Sequence, residues 1–383
     1  MRILIAASLV ALAASAAAQA TDIPVVLSLS GPAAFLGKQE QQAIELKEKV
    51  LNQAGGIHGK PVRFVFHDDA TSPQTSVQLT QEVLQSKPKV VIGSTLTATC
   101  NAMAPLFESG PIMYCLSALV EPKPGYVFTS SVSADSMAEA ELRFARSRGW
   151  TRVGIVTSTD ASGQQGDRSF DKLIASGAFK DMTITDRAHF NIQDVSVAAQ
   201  VAHLESTKPQ AWIGWATGTP MTTVWRGFAQ AGIALPNITF GGNMTQVQMT
   251  QFASLIPRDL FFVSSEFTLF GSPGFTADPR VAAKQEEMYK TYGAQNLKPD
   301  QGSVIGWDAA TLVADVLNAL PESASPKEIR DHLASRKDQP GVNGLYDFVR
   351  TPQRGLSVDN CVVSRWDAAA GRWLAVATMR DLH

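Results

Sequence analysis

From Asp22 to Phe267, short runs of β-branched and aliphatic residues alternate with longer stretches that carry an apolar residue at every third or fourth position. The runs read as buried strands and the stretches as amphipathic helices, and their strict alternation is the mark of parallel β/α units. The pattern predicts strands at 25–29, 62–67, 90–93, 112–116, 153–157, 183–190, 211–216, 238–241 and 260–264. Between them it predicts helices such as 37–51, with Ala43, Ile44, Leu46, Val50 and Leu51 on one face, and 77–84, which follows the turn Thr71-Ser72-Pro73. The rhythm breaks twice. Residues 128–133 are polar yet β-like and read as a crossover into a helix starting near Asp135. Residues 264–267 are a second candidate, followed by long helices at 279–292 and 301–320. From Gly341 the chain turns to short strands, 360–366 and 372–377, around the turn Asp367 to Gly371, an ending that a simple doubly wound domain does not need. Two α/β lobes, joined by more than one chain passage and separated by a cleft, are expected.

The first twenty residues stand outside this pattern. Arg2 begins a stretch whose apolar core, 3–12, is too short to span a bilayer and which ends in the small-x-small triplet Ala18-Gln19-Ala20. This predicts an export signal, residues 1–20, cleaved after Ala20 to leave 363 of the 383 residues. That length exceeds what one core usually serves. No cysteine follows the cleavage site to take a lipid, and no later run is apolar enough for a span, so a chain free in the periplasm and not embedded in a membrane is expected.

Composition narrows the partners. Lys and Arg total 33 against 35 Asp and Glu, and nothing in that balance suggests nucleic acid. Cys100, Cys115 and Cys361 are too few for a disulfide scaffold; Cys100 and Cys115 either bridge or remain buried thiols.

Enzyme motifs fail one by one. The segment from Ser30 to Gln39 imitates a phosphate loop, but Gly31 and Gly37 are one residue too far apart and Gln39 replaces the magnesium-binding hydroxyl. There is no G-x-G-x-x-G, G-x-S-x-G or H-E-x-x-H. His67-Asp68-Asp69 lies at a strand end, yet Asp and Thr before Ser72-Pro73 are better read as a strand-to-helix turn than as a metal site. Glu139 and Glu141 are expected in solvent, and the Asn237-Ile238-Thr239 sequon falls in a buried strand and reads as incidental. No metal, cofactor or catalytic residue is expected.

Four segments together form a more specific pattern. Residues 24–32 give a strand running into Ser30-Gly31-Pro32; 51–62 contain Asn52, Gly55-Gly56-Ile57, Gly59 and Val62; a strand ends in Asp68-Asp69; another ends in Ile92-Gly93-Ser94. In this the chain resembles the branched-chain-amino-acid-type (type I) periplasmic solute-binding proteins of ABC importers, with spacing comparable from Pro24 to the tail, including Ala231-Gly232-Ile233. The resemblance implies two Rossmann-like lobes with central, mostly parallel sheets, three hinge crossovers, and a ligand held as the lobes close. It divides the chain into 21–132 plus 266–352 for one lobe and 133–265 plus 353–383 for the other.

The strand ends carry Ser94 to Thr99 and Leu116 to Leu119, rich in hydroxyl and backbone donors where α/β sites form. By resemblance these two loops clasp the ligand's carboxylate, with Thr97, Ser117 and Leu119 falling at its usual contacts, and Thr95 and Ala118 are expected as further ligand-binding residues. Where amino-acid binders place a hydroxyl and an acid for the ammonium, this chain has Leu119 and Asn243. A buried ammonium without a countercharge costs several kcal/mol. The expected ligand is therefore a small carboxylate, aromatic and without an amine, such as a benzoate or phenylpropenoate. Phe35, Leu36, Trp215 and Met244 are expected as its apolar wall, Asn243 or Thr217 as the partner of a ring hydroxyl, and Asp160 and Ser162 as further contacts from the second lobe. The expected function is delivery of this ligand, by a monomer, to the permease subunits of an ABC importer. The alternatives are a branched-chain amino acid with Asp160 or Glu266 as its acid, an exported hydrolase using His67, Asp68 and Ser94, or a soluble sensory subunit.

Overall fold

A computed structural model describes residues 19–273 and 275–382; the expected export signal lies almost wholly outside the described residues. Two parallel sheets organise the chain. The first has five strands in the order β2-β1-β3-β4-β5: β1 (Thr21–Leu27), β2 (Val62–Asp68), β3 (Val90–Gly93), β4 (Ile112–Cys115) and β5 (Val127–Thr129). The second repeats that winding with β6 (Arg152–Ser158), β7 (Thr183–Phe190), β8 (Ala211–Trp215), β9 (Asn237–Phe240) and β10 (Leu260–Ser265), in the order β10-β9-β8-β6-β7. In both, the chain reverses its direction of winding beside the first strand, and this leaves a crevice at the carboxyl ends of the strands. A short ladder, β11 (Gln339–Pro340) with β12 (Leu345–Tyr346), precedes β13 (Cys361–Asp367) and β14 (Arg372–Thr378), of which β13 pairs antiparallel with β10 and β14 with β13.

Helices cover both faces. The first sheet is flanked by α1 (Ala34–Gln53), α2 (Pro73–Gln85) and α3 (Thr97–Met103), the second by α4 (Ala134–Ser147), α5 (Ala161–Ala175), α6 (Ala198–Ser206), α7 (Thr219–Ala231) and α8 (Gln246–Gln251). After β10 come α9 (Pro279–Gly293), α10 (Gln301–Ala319) and α11 (Pro326–Ala334). The chain therefore leaves the second sheet and returns to the first, where α10 packs along α1: a Cβ on Gly306 would stand 2.7 Å from the Glu40 carbonyl. The segment 128–133, expected as a crossover, first completes the five-stranded sheet as β5 and only then passes to α4. Helix α11 has no counterpart in the sequence reading, although Ser325 and Glu328 close a capping box around its first turn.

The three passages between the sheets meet at Asn343. Its amide donates to the Ser130 carbonyl on the first passage, and its Oδ1 accepts from Ser265 Oγ on the second. Tyr346, at the start of the third, donates to both Ser130 O (3.0 Å) and the buried Asp308 carboxylate (2.7 Å). Cys100 and Cys115 are joined in a disulfide, with their Cα atoms 6.2 Å apart, so of the two readings left open by the sequence the bridge is the one found. Cys361 is a buried free thiol. Among the described residues no helix is long and apolar enough to cross a membrane, and no cluster of side chains has the make-up of a metal site.

Candidate functional site

A cavity of about 260 Å³ opens between the carboxyl ends of the two sheets. From the first sheet's side it is lined by Phe35 and Leu36 at the start of α1, by Thr95 and Thr97 after β3, and by Ser117, Ala118 and Leu119 after β4. From the second come Asp160 and Ser162 at the start of α5, Thr217 after β8, and Phe240 at the end of β9. Ser131 and Val132 on the first chain passage, Ser264 and Ser265 at the end of β10, and Asn343 between β11 and β12 complete the lining.

The polar groups are few and mostly engaged. Thr97 Oγ1 and Ser117 Oγ lie 2.9 Å apart and share a hydrogen bond, at the entry of α3, where first-turn N–H groups have no partner within the helix. The disulfide joins α3 to the end of β4 and so fixes these two loops against each other. Asp160 is the single charged residue among the described residues lining the cavity, and its Oδ1 accepts from Ser158 Oγ, Ser162 Oγ and Gly163 N at 2.6, 2.8 and 3.1 Å, with the same Ser162 hydroxyl 3.0 Å from Oδ2. Among the described residues no Lys, Arg or His lines the wall.

Behind Thr95 stands Glu40, fully buried. Thr95 Oγ1 donates to Glu40 Oε2 at 2.6 Å while Oε1 has no partner. Burial pushes this carboxyl up to about 8, so it is neutral near pH 7 and does not repel an anion in the cavity. Asp300, which caps α10 through Ser303 N and also accepts from Gln246 N, is raised by burial to about 6. Glu266 is raised by burial to about 7, lies outside the cavity lining, and is partly offset by Arg380.

Ten of the thirteen residues expected at the site line this cavity: Phe35, Leu36, Thr95, Thr97, Ser117, Ala118, Leu119, Asp160, Ser162 and Thr217. Trp215, Asn243 and Met244 do not. Strand alternation keeps Ala211, Ile213 and Trp215 on one buried face, and the Trp215 indole packs between Phe170 and Phe240 while donating to Glu141 Oε2 at 2.6 Å. Glu141, expected in solvent, is thus fully buried, and that burial raises its pKa well above the ordinary range. Asn243 is consumed by the backbone: its Oδ1 accepts from Gly218 N and its Nδ2 donates to Ala216 O, both at 2.9 Å. Met244 is buried in the second lobe's core. Gly218 itself has φ +72°, and a Cβ there would meet the Phe35 ring at 2.3 Å, so across the cleft only glycine lets that ring seat.

The sequence reading missed Phe240, Ser131, Val132, Met137, Gln301 and Ile305, all lining the cavity. Phe240 ends β9 and Met137 lies on α4, while the places of Ser131, Val132, Gln301 and Ile305 depend on how the chain passages and α10 return to the cleft, which local pattern does not encode. The His67-Asp68-Asp69 cluster forms turns: Asp68 Oδ1 accepts from Leu29 N, Ser30 N and Ala70 N, and Asp69 from Ser28, Ser76 and Ser94 hydroxyls. Asn237 is buried and accepts from Trp225 Nε1, in keeping with an incidental sequon.

Two doubly wound lobes with a cavity at their facing strand ends define a bilobal α/β solute-binding protein. Residues 20–371 match the family model described as periplasmic binding protein, and the chain belongs to that family. Among curated relatives, the Leu/Ile/Val-binding protein of Escherichia coli K12 is 32% identical over 119 residues, covering 30% of this chain and 32% of its own. A Leu/Ile/Val-binding protein homolog of Brucella melitensis is 35% identical over 101 residues, 26% of this chain and 27% of its own. The aligned segments thus span about a third of these relatives' length. Solved structures match throughout at lower identity. An extracellular ligand-binding receptor from Rhodopseudomonas palustris HaA2 superposes with TM-score 0.82 at 19% identity, over 94% of this chain and 100% of its own. A solute-binding protein of an ABC transporter from R. palustris, in complex with benzoate, gives 0.75 at 21%, over 94% and 96%. LivJ from Streptococcus pneumoniae, in complex with isoleucine, gives 0.77 at 19%, over 94% and 100%.

Proposed function

We propose that this chain is the exported receptor of an ABC importer and that it captures a small carboxylate with an apolar, aromatic body, holding it between the lobes for transfer to the permease. The observation that carries this reading is the make-up of the cavity. A bonded hydroxyl pair, Thr97 and Ser117, stands at the first turn of α3, and the remaining wall is largely apolar: Phe35, Leu36, Leu119, Val132, Met137, Phe240 and Ile305. Hydroxyl and peptide donors suit a carboxylate without a cationic side chain. For an α-ammonium the described lining offers a single acid, Asp160, whose Oδ1 already accepts from Ser158, Ser162 and Gly163. Leu119 fills the place where a hydroxyl would serve the ammonium, and Asn243 is bound to its own backbone neighbours. The fold-level likeness to a benzoate-bound receptor is consistent with this ligand class. Export agrees with a disulfide in the first lobe, since such bonds persist in oxidising compartments.

The competing ligand is a branched-chain amino acid, favoured by the names of the curated relatives. A thermal-shift screen separates the two. Stabilisation by benzoate or 4-hydroxybenzoate with none by leucine, isoleucine or valine is expected; the reverse would overturn the ligand class while leaving the receptor class intact.

A further inference from the structure

The third chain passage, between β12 and β13, carries Arg354, whose side chain is 4% exposed. Its Nη1 donates to three carbonyls, Ala118 O (3.1 Å), Ser131 O (2.9 Å) and Val132 O (3.1 Å), and its Nη2 donates to Val120 O. Ala118, Ser131 and Val132 all line the cavity, on the loop after β4 and on the first chain passage. The neighbouring Gln353 carbonyl accepts from Thr129 N, which seats this segment against the edge of β5. The guanidinium thus lies directly behind the wall where the carboxylate is expected, in a cavity with no cation among its described lining residues.

We infer that Arg354 is a positioning residue for the ligand: its buried charge, set on the reverse side of the 118–120 and 131–132 backbone, supplies the positive potential that makes this wall select an anion over its neutral counterpart. A guanidinium stays protonated under burial, and each carbonyl it holds polarises that peptide, strengthening the N–H turned the other way. Two carboxylates act on it directly, Glu121 and Asp135, and a third, Asp160, lines the opposite side of the cavity. Glu121 comes no closer than 3.6 Å and its side chain is 46% exposed, so solvent screens it. Asp135 also acts on it through space but is tied to Lys172 and Ser169. Behind the same wall, at Thr95, Glu40 keeps its proton up to about 8. The arrangement also links the ligand loop to two of the three chain passages, so the group that favours the anion is fixed to the segments that must move when the lobes close.

The inference rests on the proposed carboxylate, not on its aromatic body, and the test uses both bodies. Calorimetric affinities of native protein, Arg354→Gln and Arg354→Lys are measured for benzoate against benzamide and for isoleucine against isoleucinamide. If only the isoleucine pair binds native protein, the aromatic reading falls, and Arg354 is still judged on that pair. The acid-over-amide preference should drop by about tenfold or more in Arg354→Gln and be largely kept in Arg354→Lys. Equal loss for acid and amide, or equal behaviour of the Gln and Lys variants, would make Arg354 a structural brace and overturn the inference, as would a native protein that takes amides as tightly as acids. A ligand-free reading comes from Ser131→Cys, titrated by thiolate absorbance. Cys361 is silent, because burial raises its thiol beyond the range. The thiol introduced at position 131 should titrate on the order of one unit lower with Arg354 in place than in the double variant that also carries Arg354→Gln. No difference would overturn the electrostatic role even if no probe ligand binds.

Discussion

The two walls of the cleft are built from the same winding, five parallel strands with a crevice at their carboxyl ends, yet they use their loop residues differently. On the first wall the segments after β3 and β4 turn Thr95, Thr97, Ser117 and Leu119 to the cavity, and backing groups hold them there: Glu40 behind Thr95, Arg354 behind Ala118, a disulfide across the two loops. On the second wall the corresponding strand ends are absorbed by the core. Trp215 belongs to the α4–α5 face and Asn243 stitches Gly218 to Ala216, leaving Phe240, Thr217, Ser162 and Asp160 to line the cavity. The walls thus differ in where their charge lies: the first carries hydroxyls among apolar side chains with its ionisable groups set behind them, and the second places Asp160 in the lining itself.

The comparison breaks most visibly at Trp215. If it is core, Trp215→Ala should cost about 3–5 kcal/mol of stability in chemical denaturation, by opening a cavity beside Phe170 and leaving the buried Glu141 without its donor. An unchanged denaturation midpoint with lost ligand affinity would put the indole back in the cavity wall. Next in size, reducing the Cys100–Cys115 bridge, which closes a loop over 15 positions, should lower stability by about 3 kcal/mol, and ligand affinity should fall with it because the bond clamps both hydroxyl loops. Stability lost with affinity intact would separate the clamp from recognition. Ser117→Ala should weaken carboxylate binding by about 1–3 kcal/mol at little cost in stability. Its unchanged affinity would reduce the Thr97–Ser117 pair to a local turn bond.

The smallest effect per unit concerns the buried acid behind the first wall. The folded Glu40 carboxyl keeps its proton up to about 8, while an unfolded one loses it near 4.5. Folding therefore takes up a proton between those values, and stability falls as pH rises through this window, by at most about 1.4 kcal/mol per pH unit for this group. Asp300 and Glu266 act in the same direction in their own windows, up to about 6 and about 7. Glu40→Gln should flatten the decline between pH 5 and pH 8 in urea titrations, and an unaltered slope would show that Glu40 is ionised in the folded chain.

Much of this was legible in the sequence, and the exceptions have physical reasons. Strand and helix periodicity located the parallel units, because a buried strand and an amphipathic helix write their environments directly into residue order. The loops after β3 and β4 could be placed at the cavity because the carboxyl ends of parallel strands meet at the crevice between the lobes. Trp215 was misplaced because ending a strand does not free a side chain: the alternation through Ala211 and Ile213 continues to it. Glu141 was readable and missed, since it shares the stripe of Ala138, Leu142 and Ala145 on α4 and so had to be buried. Ser131, Gln301 and Arg354 were beyond reach, because their places depend on where the chain passages and α10 recross, whereas Phe240 ends β9 and was open to the same strand-end reasoning that placed Thr217.

The most direct measurement of the central claim is calorimetric titration of the ligand-free protein with benzoate and 4-hydroxybenzoate in parallel with leucine and isoleucine. Aromatic acids should bind at least about a hundredfold more tightly than the amino acids, the difference set by an ammonium whose one acid in the described lining, Asp160, is already engaged by Ser158, Ser162 and Gly163. Tight binding of leucine or isoleucine, with aromatic acids bound weakly or not at all, would contradict it.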